Sequence, residues 1–353
     1  MILIVESIVR RPDMKNKGTL LFELSKEQQA LPAAEVLACL DAEVSSYVQE
    51  EVNDDVLLVQ TITDDATVHH LARRLSFTFV IDELLFSCPA TITDLVEHAQ
   101  RHPLTKDGSI AIRCKCRASS LDSPEVIDRL GDYYTKNRKV DLVHPAIELR
   151  AIVTETTAYV GIKKAEIDTS HFQQRRGHLR PFLSPITLHP KIARALVNLS
   201  SVKTNEVLLD PFCGTGGILI EAGLLGAQVI GSDVEQKMIE GCKKNLEFYH
   251  LKNYELYCSD IGDISTHVGS VDAVVTDFPY AKSTTTKGEQ LQRLYERGFE
   301  HISRVLKKHR RAVIGLSNQE MIDIGKDYLS LIEVYPSRVH RSLTRYFVVY
   351  ETR

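Results

Sequence analysis

Glu206-Val207-Leu208-Leu209-Asp210-Pro211-Phe212-Cys213-Gly214-Thr215-Gly216-Gly217 decides the fold of this chain. Residues 206–210 have the apolar make-up of a buried strand, and residues 214–217 form a glycine-rich turn into a helix. Glycines at such a turn let backbone N–H groups approach a ligand closely at the helix N-terminus. The spacing is neither G-x-G-x-x-G nor G-x-x-x-x-G-K-S/T, which argues against a dinucleotide fold and a P-loop. After an apolar helix at 190–199, strands are predicted at 207–210, 228–233, 254–259, 271–276, 311–316, 331–336 and 345–351. Helices at 214–225, 235–249, 289–306 and 322–328 fall between them. Alternation of this kind implies an α/β fold, a mostly parallel sheet with helices on both faces. The β-rich last two strands suit an antiparallel hairpin at one edge.

In an open α/β sheet, ligands bind beyond the carboxyl ends of the strands. Asp210, Asp233 and Asp260 end three successive strands after the glycine turn. Asp210 suits an ammonium group, Asp233 a pair of ribose hydroxyls, and Asp260 an exocyclic adenine amine. That set fits S-adenosylmethionine; three helix caps are the plainer alternative. The strand at 271–276 runs into Asp277-Phe278-Pro279-Tyr280, which offers a carboxylate, a free carbonyl, a proline and an aromatic ring. This tetrapeptide is a candidate for holding a flat, amine-bearing group.

Upstream, residues 1–90 read strand 2–6, helix 33–40, strands 47–51 and 56–62, helix 66–75 and strand 77–81. This order matches a ferredoxin-like split βαβ unit. Residues 91–168 read helix 92–100, strand 109–117, helix 124–135 with Ser123 as its N-cap, and strands 146–154 and 157–163. Residues 169–185 look like a linker, and 186–353 form the last domain.

The 353 residues are too many for one ordinary domain. With 43% hydrophobic and 25% charged residues, the composition is that of a soluble globular protein. No apolar run is long enough to span a membrane, and the start lacks the pattern of a secretory signal. Seven cysteines in no small-scaffold framework suit reduced thiols and a cytoplasmic location. Cys114-x-Cys116 has no partner pair at zinc spacing, so no metal is expected. The net charge of −4 hides a balance of −10 over residues 1–100, +5 over 101–180 and +1 over 181–353. Nucleic-acid binders concentrate cations on one part of the molecule, which makes the middle segment the expected footprint. Arg113, Lys115, Arg117, Arg138, Lys139, Lys163 and Lys164 are its candidate RNA-binding residues.

Asp210 to Gly217 resembles motif I of the Rossmann-like methyltransferases, and Asp277-Phe278-Pro279-Tyr280 is similar to the Asp/Asn-Pro-Pro-Tyr motif of amino-group methyltransferases. The basic middle block resembles a THUMP domain, whose family role is binding the 3′ end of tRNA. Arg180-Pro181-Phe182-Leu183-Ser184-Pro185, Leu188 to Leu199, Ser283-Thr284-Thr285 and His340-Arg341-Ser342-Leu343-Thr344-Arg345-Tyr346 resemble the archaeal tRNA guanine-10 N2-methyltransferases, a likeness that spans essentially the whole chain. The resemblance implies a seven-stranded, mostly parallel sheet with an antiparallel edge strand, preceded by the ferredoxin-like and THUMP module. It implies S-adenosylmethionine held by Asp210, Cys213, Gly214, Thr215, Gly216, Asp233, Val234, Asp260, Ile261 and Thr187. Amine methylation needs no thiol nucleophile, so the Cys213 side chain is expected to be structural. His171, His178 and His189, around the linker, are expected in phosphate contact or packing.

The expected activity is methylation of the N2 amine of a tRNA guanosine, at position 10, once or twice. The lone pair of that amine is delocalised into the ring, so it is a poor nucleophile. Its N–H groups can donate to the Asp277 carboxylate and the Phe278 carbonyl, which aims the lone pair for an in-line displacement governed by positioning. Stacking on Tyr280 adds about 1–3 kcal/mol of base binding, and a base inside a stem is first flipped out. The chain departs from the family pattern at Phe278, where proline is usual, and at Ala281-Lys282. The carbonyl of residue 278 survives that change; the stiffness of proline does not. Alternatives are another RNA guanosine, at tRNA position 6 or in rRNA, and a catalytically weakened tRNA-binding homologue. The expected partner is tRNA, not DNA or a membrane; a monomer is expected, and no helper subunit is evident.

Overall fold

The structure, a computed structural model, describes residues 18–184, 187–279, 290–340 and 343–353, with the backbone alone at 339, 340 and 343. It contains two compact units. The first holds residues 18–26, Val44–Arg73 and Thr78–Ile167; the second holds Glu27–Glu43, Arg74–Phe77 and Asp168–Arg353.

From the start of the described chain the elements are β1 (Gly18–Leu24), α1 (Leu31–Glu43), β2 (Tyr47–Val52), β3 (Val56–Thr61), α2 (Asp65–Arg74) and β4 (Thr78–Pro89). Then come α3 (Ile92–Arg101), β5 (Ile110–Cys116), α4 (Ser123–Tyr134), β6 (Ile147–Val153) and β7 (Thr157–Glu166). The first unit's sheet has the order β2-β3-β1-β4-β7-β6-β5, antiparallel except for β5 beside β6. Residue 90 falls inside this continuous sheet, because β4 pairs along its length with β7. The strand expected at 2–6 lies outside the described residues. β1 was not anticipated: Leu20, Leu21, Phe22 and Leu24 around the buried Glu23 make an apolar run too short, and interrupted by a charge, to be told from a buried helix segment by period. Ser123 is not the cap of α4. Asp122 holds that position without a side-chain bond, and Pro124 starts the first turn.

Second-unit elements are α1, then α5 (Ser170–Gln174), α6 (Pro190–Leu199), β8 (Val207–Asp210), α7 (Gly217–Leu224), β9 (Gln228–Asp233), α8 (Gln236–Phe248), β10 (Tyr254–Cys258), α9 (Ile264–His267), β11 (Ala273–Asp277), α10 (Leu291–Val305), β12 (Arg311–Leu316), α11 (Met321–Tyr328), β13 (Ser330–His340) and β14 (Leu343–Glu351). Their sheet runs β10-β9-β8-β11-β12-β14-β13. The pairs from β10 through β12 are parallel, and β14 is antiparallel to both neighbours. The edge hairpin is therefore β13–β14, with β13 outermost.

Strand side chains alternate between two cores. Leu208, Ala273, Val275, Val313, Phe347 and Val349 face one; Leu209, Val274, Ala312, Ile314, Val348 and Tyr350 face the other. A strand buried on both faces reads as an unbroken apolar run, which is why these strands were visible in the sequence. The first core takes residues of α1, α6, α7 and α8, and the second takes residues of α9, α10 and α11.

α1 belongs to the second unit because its apolar side chains pack there, and a buried carboxylate fixes it. Glu35 accepts from Ser76 N (2.9 Å), Ser76 Oγ (2.6 Å), Phe77 N (2.8 Å) and Asn198 Nδ2 (2.8 Å). The stretch expected as a linker is also built into this unit: it forms α5, and Arg175 holds Glu221 through Nε (2.7 Å) and Nη2 (2.9 Å). Among the described residues no helix is long and apolar enough to cross a membrane.

Candidate active site

β8 and β11 are neighbours, yet the chain leaves β8 toward β9 on the other side. This reversal is the switch point at which open α/β sheets bind ligands. Asp210, Asp233 and Asp277 are the last residues of β8, β9 and β11, so the topology sets three carboxylates along one rim.

Asp210 is buried. Its Oδ1 accepts from Thr276 Oγ1 (2.6 Å) and Phe212 N (3.2 Å). Burial pushes its carboxyl up to about 7, and the nearby Asp277 and Asp233 charges push the same way. Asp233 accepts from Gly214 N (3.1 Å) and Glu235 N (2.9 Å), so it holds the glycine turn in place. Gly216 sits at φ +81° as the residue before α7, and a Cβ there would meet Cys242 Sγ at 2.6 Å. Only glycine fits both constraints. Beside Gly214, a Cβ would meet nothing within 4 Å, so the turn borders open space. The helix starts at Gly217, three residues later than expected, because the turn itself occupies 213–216.

Of the remaining cofactor candidates, Cys213 and Thr215 belong to this turn, Thr187 lies beside the residue after it, and Val234, Asp260 and Ile261 follow β9 and β10. Cys213 is buried, its N–H donates to Ser232 O (2.9 Å), and the Cys242 thiol beside it, together with burial, pushes its thiol well up, which suits a structural role. The Thr215 carbonyl accepts from Asn245 Nδ2 (2.9 Å). Thr187 lies beside Gly217, its Cγ2 3.7 Å from where a Cβ would stand. Val234 follows Asp233 directly and Ile261 is buried after Asp260. Asp260 accepts from Gly262 N (2.8 Å) and from Arg297 Nη1 (2.5 Å) and Nη2 (3.3 Å). Burial raises its carboxyl, but the Arg297 and Gly262 bonds outweigh this and hold it below the usual carboxylate range.

The tetrapeptide is described as far as Pro279; Tyr280, Ala281-Lys282 and Ser283-Thr284-Thr285 lie outside the described residues. The Asp277 carboxylate leans over Gly315 of β12, where a Cβ would collide with Oδ1, and its Oδ2 lies 3.4 Å from Arg345 Nη2. Phe278 turns the other way. Its ring is fully buried among Phe212 (4.9 Å), Tyr295 (4.8 Å) and Phe299 (5.3 Å), and its N–H donates to Gly315 O (3.0 Å). Proline could not make that bond. The Pro279 carbonyl accepts from Tyr295 Oη (3.1 Å). The loop is thus held by packing and two hydrogen bonds, in place of a second proline.

Sequence reading gave no role to Thr276, Arg297, Gly315 or Arg345, the last quoted only as part of the resembling stretch 340–346. Thr276 carried a signal, a hydroxyl inside an otherwise apolar strand. The others meet the site only through sheet order and helix packing.

The cations expected to bind RNA lie in the first unit, mostly paired with its own carboxylates. Lys115 and Arg117 both reach Glu23 (2.6 Å each), and Arg117 also reaches Asp55 (3.1 Å). Lys163 pairs with Glu148 (2.6 Å) and Lys164 with Asp65 (2.6 Å). Arg113 donates to Leu142 O (2.9 Å), and Arg138 to Lys106 O (2.7 Å). Lys139 is exposed. Lys115, Arg117 and Lys164 thus meet carboxylates of the acidic first hundred residues, while Lys163 is paired within the middle segment. Of the linker histidines, His189 caps α6 and His171 packs on Phe172 (4.2 Å).

Strand order, glycine turn and rim of acids define an S-adenosylmethionine-dependent methyltransferase. A family model described as the RMKL-like methyltransferase domain matches residues 177–346, and a THUMP domain model matches 92–163. The tRNA (guanine(10)-N2)-dimethyltransferase of Methanothermobacter thermautotrophicus is 33% identical, covering 93% of this chain and 98% of that protein. Its namesake from Methanocaldococcus jannaschii is 30% identical over 94% of this chain and 99% of that protein. The chain belongs to the tRNA (guanine(10)-N2)-dimethyltransferase family. TrmN from Thermus thermophilus, 19% identical with a TM-score of 0.54, covers 94% of this chain and 99% of its own and shares the fold.

Proposed function

We propose that this enzyme methylates the N2 amine of guanosine 10 in tRNA, once or twice. The carrying observation is the Asp277 carboxylate at the switch point, beside a residue-278 backbone pinned to Gly315 O. The open space beside Gly214 and the buried, cation-seeking Asp210 support a cofactor with an ammonium and a sulfonium. Asp210, the 213–216 turn, Asp233, Val234, Asp260, Ile261 and Thr187 are assigned to hold it. Bound S-adenosylmethionine supplies the electrophilic methyl group.

The protein's own contribution is positioning. Asp277 accepts from the guanine amine, and the Phe278 carbonyl accepts its second N–H, which orients the nitrogen lone pair. Tyr280 is assigned the stacking platform. Gly315 and Tyr295 hold the backbone of residues 278 and 279 before substrate arrives, and Thr276 holds Asp210, so little reorganisation accompanies transfer. The rigid, buried Phe278 favours a working site over a disabled one.

In the first unit, exposed Lys139 and the half-exposed Arg113 and Lys115 are the cations we assign to RNA, with paired Arg117, Arg138, Lys163 and Lys164 shaping that surface. We take 1–90, 91–168 and 186–353 as the functional divisions, the partner as tRNA rather than DNA, the chain as acting alone, and the compartment as cytoplasm. Seven free cysteines support a reducing one.

The test is to incubate unmodified tRNA transcripts with labelled S-adenosylmethionine and map the modified nucleoside. N2-methylguanosine or N2,N2-dimethylguanosine at position 10 is expected. Label at position 6, or label only in rRNA transcripts assayed in parallel, redirects the assignment, and cofactor and tRNA binding without transfer in a single turnover overturns it.

A further inference from the structure

Arg345 lies two strands away from Asp277, since the sheet order is β11-β12-β14. Neighbouring strands are about 4.8 Å apart, so side chains two strands apart do not ordinarily meet. They meet here because Gly315, between them, has no side chain, and the carboxylate leans across the gap to 3.4 Å from the guanidinium. Both side chains keep some exposure, 13% for Arg345 and 18% for Asp277, at the carboxyl end of β11. An anion and a cation therefore stand side by side where the substrate base is to be held.

The Watson–Crick edge of guanine carries the same pattern. N2–H and N1–H donate, and O6, next to N1, accepts. A guanidinium pairs well with guanine O6, and flipped bases are read on this edge. Adenine reverses the pattern: an acceptor at N1 and a donor at N6 would face the cation. Resting on the reading that guanine N2 is the acceptor, we infer that Arg345 is a specificity-determining residue: it donates to O6 while Asp277 takes the N2 amine, and so selects guanine against other amine-bearing purines. Gly315 is the positioning residue that lets the two act together.

The test compares single-turnover methyl transfer to tRNA transcripts carrying guanosine or 2-aminopurine riboside at the mapped target. 2-Aminopurine keeps the amine and lacks O6 and N1–H. The wild-type enzyme is expected to prefer guanosine by roughly 10- to 100-fold, the range of a good base-edge contact. Arg345→Ala is expected to slow guanosine by a similar factor, leave 2-aminopurine nearly unchanged, and retain S-adenosylhomocysteine binding; Arg345→Lys restores part of the preference. Equal loss on both bases, or no loss on either, overturns the inference, because Arg345 would then act only through Asp277 or not at all. Should the variants fail to fold, the wild-type comparison decides alone: equal rates on the two bases overturn it. Failure to methylate guanosine N2 in any transcript is a different result, and sinks the functional reading instead.

Discussion

At position 278 the chain carries phenylalanine where the resembling motif has proline, and the structure gives that residue two tasks. Its ring fills an aromatic pocket and its N–H closes onto Gly315 O. Phe278→Ala is expected to cost about 3–5 kcal/mol, as for other buried aromatics, read by denaturant unfolding. Phe278→Pro, despite restoring the usual motif, is expected to lower the melting temperature too, since it loses both the ring and the donor. Asp277→Ala is expected to abolish methyl incorporation while S-adenosylhomocysteine still binds by calorimetry; full activity would remove Asp277 from the mechanism. Asp210 makes a pH prediction. Its folded pKa, about 7, lies above the ordinary aspartate value of 3.8, so the folded state holds the proton more tightly. Its contribution to stability is fully present below about pH 4 and is lost as pH rises through about 7. Asp210→Asn is expected to flatten that decline, measured as melting temperature from pH 5 to 8.

At the scale of elements, close approaches between strands and helices decide whether the site assembles. Gly315 of β12 leaves room for the Asp277 carboxylate, and Gly298 of α10 leaves room for the Phe278 ring, whose Cζ would stand 2.8 Å from a Cβ there. Gly315→Ala is expected to displace the carboxylate and lower single-turnover transfer by at least about 10-fold with the fold kept, because misplacing a reacting group by about 1 Å can cost about 100-fold. Circular dichroism and S-adenosylhomocysteine binding check that the fold survives. The strands of the second sheet, the glycine turn and the acids that end β8 and β9 were readable because each is a short local pattern; Asp260, expected at the end of the third strand, instead lies past Cys258 and caps the next turn. β1 was not, because its short apolar run is broken by the buried Glu23 and lacks the flanking strand-and-helix alternation of the second sheet. Gly315 and Gly298 were not either, since a glycine that matters for a contact far along the chain looks like any other.

Across the whole molecule, the chain's charge and its helices are distributed differently from its sequence order. The strongest case is Arg150, which bonds Glu23 Oε2 (2.5 Å) and Asp82 Oδ2 (2.7 Å) and joins the acidic start to the basic middle within one sheet. Arg150→Met is expected to destabilise the protein by about 3–5 kcal/mol by leaving two buried carboxylates without that cation, measured by chemical unfolding. A fragment starting at residue 168 loses α1 and the Glu35–Asn198 bond; it is expected to melt lower than the intact chain in calorimetry or to aggregate. By itself the sequence determined the alternating α/β pattern, the glycine turn and the carboxylates at the ends of β8 and β9, because strand periodicity, glycine turns and strand-end residues are written within a few positions. Only the tertiary structure decided that Arg345 stands beside Asp277, that Phe278 points into the core, and that the basic segment answers the acidic one. Those facts depend on strand order and on which face each side chain takes, and both are fixed by packing among residues tens to more than a hundred positions apart.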